Sequence, residues 1–588
     1  MPNAKAVGPA LASFALTALA IGIVWWWLGA GMALPPSPLP SGAKLYCVSY
    51  APFRAGQDPL VEGTRVEPWQ IEEDLALLSK YSNCVRTYSI DDGAESVLAS
   101  ARRHGLKVLH GVWLSNKADK NRRQIATTAA LAKEYADVIS AVIVGNEVLL
   151  RGEMSATDLM AAIREVKAQV AKPVTYADVW EYWLRYADVR NAVDFVTIHI
   201  LPYWEDFPIP ASLAAAHVAA IHARVAAAIP GKDILIGEFG WPSAGRMRER
   251  ARPSPWNQAR VISETLALAE REHFKVNIIE AFDQPWKRAL EGAVGGYWGI
   301  FDRATDGLKF RFGGTVSEHP HWPWQAAAGI ALAALSFAGA FAAGRTKGFS
   351  PYLWPEVAAL SFLPAVMFGW TIETVPVESF SVGSWLRSLA FAATAGAAPV
   401  VCAIACATGR AVPAFSSFLG PGRKRPDGLD WVLGGSLIAL MLVSIEAALG
   451  LVFDPRYRDI AFAPLTAAAL PLLVVLVSTP RPAGARAMAE TVGAAVLALS
   501  GGYVLFNEGF ANWQSVWFCA GLFGLAFILA LAAGRAKPRM RIPTASADRS
   551  ALCSTTPKAA VASATATSTS DGRTRLSKAA TSAAPPNT

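Results

Sequence analysis

Short apolar runs alternate with amphipathic stretches along residues 43–315. Eight runs have the length of a strand, and the stretches between them repeat apolar residues at helical spacing. The strand-like runs are KLYCVSYAPF (44–53), CVRTYSI (84–90), KVLHGVWL (107–114), ISAVIVGNEV (139–148), KPVTYADVW (172–180), DFVTIHILPYW (194–204), DILIGEFGW (233–241) and KVNIIEAFDQPW (275–286). This alternation predicts an α/β domain, a (β/α)8 TIM barrel. An open doubly wound sheet is the alternative, but no glycine-rich phosphate turn follows the first strand.

Longer apolar runs flank this segment and have the length of membrane spans. Residues 1–40 are predicted to be a membrane anchor followed by the stiff, proline-rich linker PPSPLPSG; a cleaved signal peptide is the alternative. Three tryptophans, Trp25 to Trp27, suit a membrane interface near the end of that run. Residues 323–534 predict an all-α polytopic transmembrane domain with runs near 324–343, 353–372, 385–407, 431–453, 460–478, 488–506 and 513–533.

Basic residues collect in alternate connections between these apolar runs. Connections such as TIETVPVESFS and NEGFANWQS hold no Lys or Arg, and only DPRYRD departs mildly from the pattern. Basic connections stay in the cytoplasm, which predicts that residues 43–315 lie outside it. Residues 535–588, rich in Ala, Ser and Thr, are predicted to be a disordered cytoplasmic tail. The basic residues that determine this predicted orientation are Lys5, Arg345, Lys347, Arg410, Arg423, Lys424, Arg425, Arg481 and Arg486.

Composition agrees with a membrane protein, because 53% of the residues are hydrophobic and only 17% are charged. The net charge of +8 follows from the basic connections, and no basic-aromatic patch indicates nucleic acid. Neither the six cysteines nor the histidines have the sequence spacing of a metal-binding motif, so we predict no metal and no cofactor. Cys47 and Cys84 lie in separate strands and could pair; because lone core cysteines are common, we expect free thiols.

Two glutamates close strands of the predicted barrel, at the end where barrel enzymes place their chemistry. Glu147 follows VIVGN at the end of the fourth strand, and Glu238 lies in IGEFGWPS at the end of the seventh. A pair of carboxyl groups suits glycoside hydrolysis, in which one protonates the leaving oxygen and the other attacks the sugar. The alternative is that each glutamate is an ordinary ion-pair partner at a strand end.

Several motifs resemble glycoside hydrolase family 17, the retaining β-1,3-glucan enzymes with a (β/α)8 fold. They are also similar to a bacterial membrane-bound branch of rhizobial type, linked to cyclic β-(1→3),(1→6)-glucans and often named β-(1→6)-glucan synthases. The resemblance covers roughly residues 44–313. The motifs are GNE (145–147), GEFGWPS (237–243), VRTYS (85–89), HILPYW (199–204), EAFDQPWK (280–287) and GGYWGIFD (295–302).

The resemblance implies a role for three residues. Glu147 is expected to be the acid/base and Glu238 the nucleophile, while Asn146 is expected to hydrogen-bond the sugar 2-hydroxyl. A retaining mechanism places the two carboxyl groups about 5–5.5 Å apart.

Aromatic side chains near the strand ends are further candidates for substrate binding. Tyrosines there could hold the nucleophile or a sugar hydroxyl, and tryptophans offer flat faces to pyranose rings. Packing of the barrel rim is the alternative for each of them. Glu280, Asp283, His199 and Arg86 are given no catalytic role. The aromatic candidates are Tyr88, Tyr176, Tyr203, Trp180, Trp241 and Trp286.

Together these features predict a β-glucan glucanosyltransferase or glycosidase at the outer face of a bacterial inner membrane. Its partners are a β-glucan, the lipid bilayer and a glucan-polymerising synthase. No D-x-D motif or P-loop indicates a nucleotide-sugar site. The alternatives are an endo- or exo-β-1,3-glucanase, and a polytopic glucan transporter or sensor with a sugar-binding ectodomain. We expect the helical part to be an anchor for the barrel; a glucan conduit or a partner-docking site is the alternative.

Overall fold

Eight parallel strands close into a barrel, in which each strand pairs with the next along the chain and the last pairs with the first. The computed structural model describes residues 4–345, 349–350, 352–415, 427–479 and 488–532. The predicted (β/α)8 barrel is therefore confirmed, and its closure excludes an open sheet. The strands are β1 (Cys47–Ser49), β2 (Cys84–Arg86), β3 (Lys107–Val112), β4 (Ile139–Asn146), β5 (Val174–Val179), β6 (Val196–His199), β7 (Ile234–Phe239) and β8 (Lys275–Ile278).

Side chains on successive strand positions join different clusters. On β4, Val142 and Val144 belong to the large cluster between strands and covering helices, whereas Ala141 and Ile143 belong to a smaller one. The smaller cluster takes residues from β1 to β5 and from β7, which places it inside the barrel. Strands buried on both faces explain the nearly continuous apolar runs in the sequence.

Cys47 and Cys84 form a disulfide bond between β1 and β2. This corrects the expectation of free thiols at these positions. The two strands are neighbours in the barrel, and both cysteines belong to the interior cluster, so their side chains point to the same place. The two cysteines are 37 positions apart in the sequence, and only the pairing of β1 with β2 brings them together.

Helices follow the barrel strands and cover the outside. The helix Ala156–Gln169 begins at a serine cap, where Ser155 Oγ accepts from the backbone N–H of Asp158 at 3.2 Å. The helix Ala211–Ala228 is apolar enough to resemble a membrane span, but it lies between β6 and β7 with Val218 and Val225 buried. The helices are α2 (Pro68–Leu78), α3 (Ala94–His104), α4 (Ala118–Glu134), α5 (Ala156–Gln169), α6 (Trp180–Arg185), α7 (Ala211–Ala228), α8 (Pro255–Glu272) and α9 (Arg288–Glu291).

The remaining helices are those that the apolar runs predicted. Seven are long and apolar enough to cross a membrane, which suggests membrane association, whereas Phe462–Ser478 has only 17 residues. The bounds are α1 (Ala4–Leu28), α10 (Trp322–Gly344), α11 (Leu353–Glu378), α12 (Val382–Thr408), α13 (Gly428–Phe453), α14 (Phe462–Ser478), α15 (Met488–Glu508) and α16 (Trp513–Ala532).

The two chain segments that join the barrel to the long helices run side by side. Met32–Ala33 pairs antiparallel with Thr315–Val316, immediately before α10. Trp25 of α1 is fully buried in a cluster with residues of α10 and α11, while Trp26 and Trp27 are exposed. Outside the described residues or side chains lie the predicted tail and most of the basic positions, namely Lys5, Lys347, Arg423, Lys424, Arg425, Arg481 and Arg486.

Candidate active site

The two predicted catalytic glutamates meet at the carboxyl end of the barrel. Glu147 directly follows β4, and Glu238 lies in β7. One carboxylate oxygen from each, together with a ring nitrogen of His199, lie within 4.8 Å of one another. All three residues line a cavity of about 720 Å³, a size typical of ligand sites.

Glu147 has an unusual backbone conformation that turns its side chain toward the cleft. Its φ is +52°, in the left-handed region that side chains rarely adopt, and Gly145 before it has a φ of +86°. The backbone N–H of Glu147 still donates to Ala177 O on β5 at 2.8 Å, which holds the turn against the barrel. The Glu147 side chain is 22% exposed, so it can reach a bound ligand.

Glu238 is almost fully buried and is held by two donors. Arg86 Nη1 lies 3.1 Å from its Oε1, and the Tyr88 hydroxyl donates to the same oxygen at 2.9 Å. The Arg86 guanidinium also donates through Nη2 to Asn146 Oδ1 at 2.6 Å and through Nη1 to Gly237 O at 2.6 Å. A single buried cation therefore fixes a carboxylate on β7 and an amide on β4.

His199 at the end of β6 bridges the two carboxylates. Its Nδ1 lies 2.8 Å from Glu147 Oε1, and its Nε2 lies 3.6 Å from Glu238 Oε1. Arg86 Nη1 approaches the same Nε2 at 3.3 Å. Because a guanidinium only donates, Nε2 must accept this bond, so Nδ1 carries the proton and donates to Glu147.

The environment of Glu147 acts on its pKa in two directions. Burial is the largest single influence and raises the pKa of Glu147, whereas the hydrogen bond from His199 and the nearby charges of Arg151 and Arg86 act in the opposite direction. The result is a pKa below the ordinary glutamate value. The Glu147 carboxylate therefore accepts the Nδ1–H of His199, and its ionised form is favoured.

Arg86 and His199 were given no role from the sequence, yet they organise the cleft. Both close barrel strands, β2 and β6, and strand-end position was the signal that could have identified them. Gly237 leaves the room they need, because a Cβ there would lie 2.3 Å from Thr197 Cγ2. The same Cβ would lie 3.4 Å from Arg86 Nη1 and from His199 Cδ2.

Glu280 and Glu291 are two of the further acidic residues that line the cavity. Burial raises the pKa of Glu280 to about 7, although Lys287 Nζ lies 2.9 and 3.0 Å from its two oxygens. Burial also raises the pKa of Glu291 to about 7. One side of the cleft therefore takes up protons near neutral pH.

The predicted aromatic residues divide into two groups. Tyr88, Trp180 and Trp286 line the cavity. Tyr176, Tyr203 and Trp241 do not reach it within the described part of the chain, because they are buried behind its wall. There the Tyr176 hydroxyl donates to Asp178 and accepts from Leu149 N, Tyr203 donates to Arg246 O, and Trp241 donates to Arg252 O.

Three tryptophans that the sequence analysis did not single out do line the cavity, namely Trp113, Trp204 and Trp298. The rings of Trp204 and Trp298 lie nearly parallel, with centroids 6.4 Å apart. Asn146 also lines the cavity. The cleft thus combines flat aromatic faces with a few polar groups, as sugar-binding clefts require.

By distance alone, Glu147, His199 and Glu238 could each give one ligand atom to a metal ion. Glu238, however, already has the positive charge of Arg86 at 3.1 Å. A divalent cation would meet that guanidinium at close range, and like charges repel. We therefore interpret the three residues as an acid–base set.

Residues 47–299 match the family model described as the BtgE/BtgC glycoside hydrolase domain. A probable beta-glucosidase btgE of Aspergillus fumigatus is 29% identical over 262 residues, which are 43% of this chain and 45% of that protein. A glucan 1,3-beta-glucosidase of Saccharomyces cerevisiae is 26% identical over 271 residues, covering 42% of this chain and 86% of that protein. These matches make the barrel similar to glycoside hydrolase domains, in agreement with the sequence prediction of a glycosidase or transglycosylase.

Among solved structures, the family 17 β-1,3-glucanosyltransferase of Rhizomucor miehei is similar to this chain. The sequence identity is 25%, the TM-score is 0.40, and the similarity covers 44% of this chain and 94% of that one. This chain spans about half the length of the btgE proteins it matches. The residues of the family match, 47–299, lie within the barrel segment.

Replacement of Arg86 by Met should destabilise the protein strongly, because it leaves Glu238 as a buried charge without its cation. We expect a loss of about 3–5 kcal/mol in the free energy of unfolding. The matched control is Arg102→Met, which breaks the exposed Arg102–Asp137 pair and should cost under about 1 kcal/mol.

Denaturant unfolding of the purified full chain measures both variants. Adding Glu238→Gln to Arg86→Met removes the stranded charge and should restore part of the loss. Equal stability of the two single variants, or no recovery in the double variant, would contradict the assignment of Arg86 as the central cation.

Proposed function

We propose that this chain is a retaining glucanosyltransferase or glycosidase that acts on β-1,3-glucan. The observation that carries the proposal is the approach of Glu147 and Glu238 to within 4.8 Å, oxygen to oxygen. Retaining enzymes hold their carboxyl groups about 5–5.5 Å apart, and inverting enzymes hold them roughly 6.5–9.5 Å apart. The name of the yeast relative, a glucan 1,3-beta-glucosidase, supports the substrate class.

In the first step, Glu238 attacks the anomeric carbon and the glycosidic bond breaks. Arg86 and Tyr88 hold the attacking carboxylate in position until it forms the bond. Glu147 gives its proton to the leaving oxygen. Asn146 Oδ1 accepts a hydrogen bond from Arg86, so the Asn146 Nδ2 donors remain for the sugar 2-hydroxyl. A hydrogen bond to this hydroxyl strengthens in the transition state.

In the second step, Glu147 takes a proton from an incoming hydroxyl, which then attacks the glycosyl-enzyme and releases Glu238. The lowered pKa of Glu147 suits this base step. Water as the acceptor gives hydrolysis, and a second sugar gives transfer. The cavity continues beyond the two carboxyl groups along aromatic walls, an arrangement that supports a sugar acceptor.

The resemblance to the membrane-bound branch supports a role in building or remodelling β-(1→3),(1→6)-glucan, next to a glucan-polymerising synthase. We place the barrel, residues 43–315, outside the bacterial inner membrane and the tail inside. The Cys47–Cys84 disulfide supports this location, because disulfides persist in oxidising compartments such as the periplasm.

The proposed roles predict opposite behaviour of the two glutamates. Glu238→Ala should lose turnover of every substrate, whereas Glu147→Ala should keep it for a dinitrophenyl glucoside, whose leaving group needs no proton. Azide needs no base, so it should accelerate Glu147→Ala and give a β-glycosyl azide, identified by NMR. An α-azide formed by Glu238→Ala would reverse the assignment.

The Glu147–His199 contact predicts a change in pH dependence. His199→Phe keeps a ring but removes the hydrogen-bond donor that lowers the pKa of Glu147, so this pKa rises. The alkaline limb of kcat/KM reports loss of the acid's proton, so it should move up by about one pH unit.

The matched control is His104→Phe, which breaks another His–Glu contact of 2.8 Å, that with Glu72, far from the cavity lining. Its pH profile on laminari-oligosaccharides should match the unchanged chain. An alkaline limb that stays in place or moves down in His199→Phe would refute the coupling.

The proposed topology predicts where reporters fused to the chain are active. A periplasm-specific reporter after residue 300 should be active, and the same reporter after residue 350 should be silent. A fusion after residue 510, in the connection between α15 and α16, should behave like the first. If the reporters after residues 300 and 350 were both active or both silent, the topology would be overturned.

A further inference from the structure

The connection between α13 and α14 reaches the cleft of the barrel. This connection, residues 454–461, is the one that departs from the charge pattern of its side. Arg456 and Tyr457 in it line the same cavity as Glu147 and Glu238. The cleft therefore has walls from two distant parts of the chain, and the helical part supplies one of them.

Aromatic and cationic contacts join this connection to the cleft wall. The Tyr457 ring meets Trp204 edge to face, with centroids 5.9 Å apart, and Trp204 in turn lies parallel to Trp298. The Arg456 guanidinium lies 5.5 Å from the centroid of the Trp204 ring and donates to Trp204 O at 3.4 Å. Three aromatic rings thus form one continuous surface along the cleft.

A buried cation of the barrel holds the connection in place. Arg246, on the segment after β7, donates through Nη1 to Pro455 O and, at 3.2 Å, to Arg458 O. Its Nη2 donates to Glu508 at the end of α15. Arg246 is 3% exposed, so the contact is dry and its geometry is fixed.

Close backbone packing adds to this attachment. A Cβ on Gly292, in the barrel segment after α9, would lie 2.2 Å from Tyr457 O. On the connection between α15 and α16, Asn512 Nδ2 donates to Met247 O at 3.0 Å, and in the first turn of α16 Gln514 Oε1 accepts from Met247 N at 2.8 Å. The attachment uses several backbone carbonyls and not only exposed side chains, which marks a built interface.

We propose that the 454–461 connection forms a sugar-binding subsite of the cleft, which makes the helical part a component of the substrate site and not only an anchor. Tyr457 and Trp204 offer ring faces and edges to a pyranose, and Arg456 offers donors to its hydroxyl groups. The occupant is a sugar of a β-glucan chain that extends beyond the two glutamates. This inference rests on the proposed function.

The test measures how binding and turnover depend on the length of the substrate. Full-length protein is purified in detergent and given laminari-oligosaccharides of two to six sugars. Arg456→Ala and Tyr457→Ala should each reduce kcat/KM for the longest oligosaccharide by about fivefold or more, the effect of one lost contact. The ratio of kcat/KM for the longest to the shortest substrate should therefore fall.

Two variants serve as matched controls. Arg458→Ala removes the same charge from the same connection, and Phe510→Ala removes an exposed ring from the connection between α15 and α16. Neither residue lines the cavity within the described ranges, so both should keep the length ratio of the unchanged chain. Tyr457→Phe keeps the ring and should restore most of what Tyr457→Ala loses.

Calorimetric titration of Glu238→Gln protein with the same oligosaccharides separates binding from turnover. Weaker binding of the longest oligosaccharide in the Arg456→Ala and Tyr457→Ala derivatives, with no loss in Arg458→Ala, supports the subsite. If Arg456→Ala, Tyr457→Ala, Tyr457→Phe and Arg458→Ala all bind and cleave oligosaccharides of every length equally well, the subsite is overturned, while the proposed activity stands. An unchanged chain that neither binds nor cleaves any laminari-oligosaccharide overturns both.

Discussion

The buried guanidinium of Arg86 is the contact on which the geometry of the cleft depends. From the end of β2 it reaches a carboxylate and a carbonyl on β7, an amide on β4 and the imidazole on β6. A buried charge of this kind is costly unless each of its neighbours accepts a hydrogen bond. The requirement works in both directions: Arg86 fixes the acceptors, and the acceptors make it possible for the barrel to bury Arg86.

This constraint explains small features of the neighbouring strands. Position 237 must be glycine, because a Cβ there would press on Thr197 and approach Arg86 and His199. His199 must present an unprotonated Nε2 to Arg86, which in turn commits Nδ1 to Glu147. One cation thereby influences the protonation state of the proposed acid through an imidazole, although it makes no direct hydrogen bond to that acid.

The barrel and the positions of the two glutamates could be predicted from the sequence, because strand periodicity and strand ends are local properties. The Cys47–Cys84 disulfide could not, since pairing depends on which strands become neighbours. Tyr203 and Trp241 lie just beyond strand ends like Tyr88, and Tyr176 lies within β5; only tertiary packing decides which side chain faces the cleft. Arg86 and His199 do lie at strand ends, which the sequence shows. The hydrogen bonds that connect them to groups on four strands, however, exist only in the closed barrel.

The same reasoning applies to the helical part, where charge decides attachment. The Arg246 guanidinium donates to Glu508 and to the carbonyls of Pro455 and Arg458, just as Arg86 donates to groups on three other strands. Burial raises the pKa of Asp459, in the same connection, to about 6, with nearby arginines opposing the shift. Both buried arginines lie next to the cleft, one beneath the carboxylates and one behind the 454–461 connection. One cation therefore orders the carboxylates within the barrel, and the other joins the barrel to the connection that completes the cleft wall.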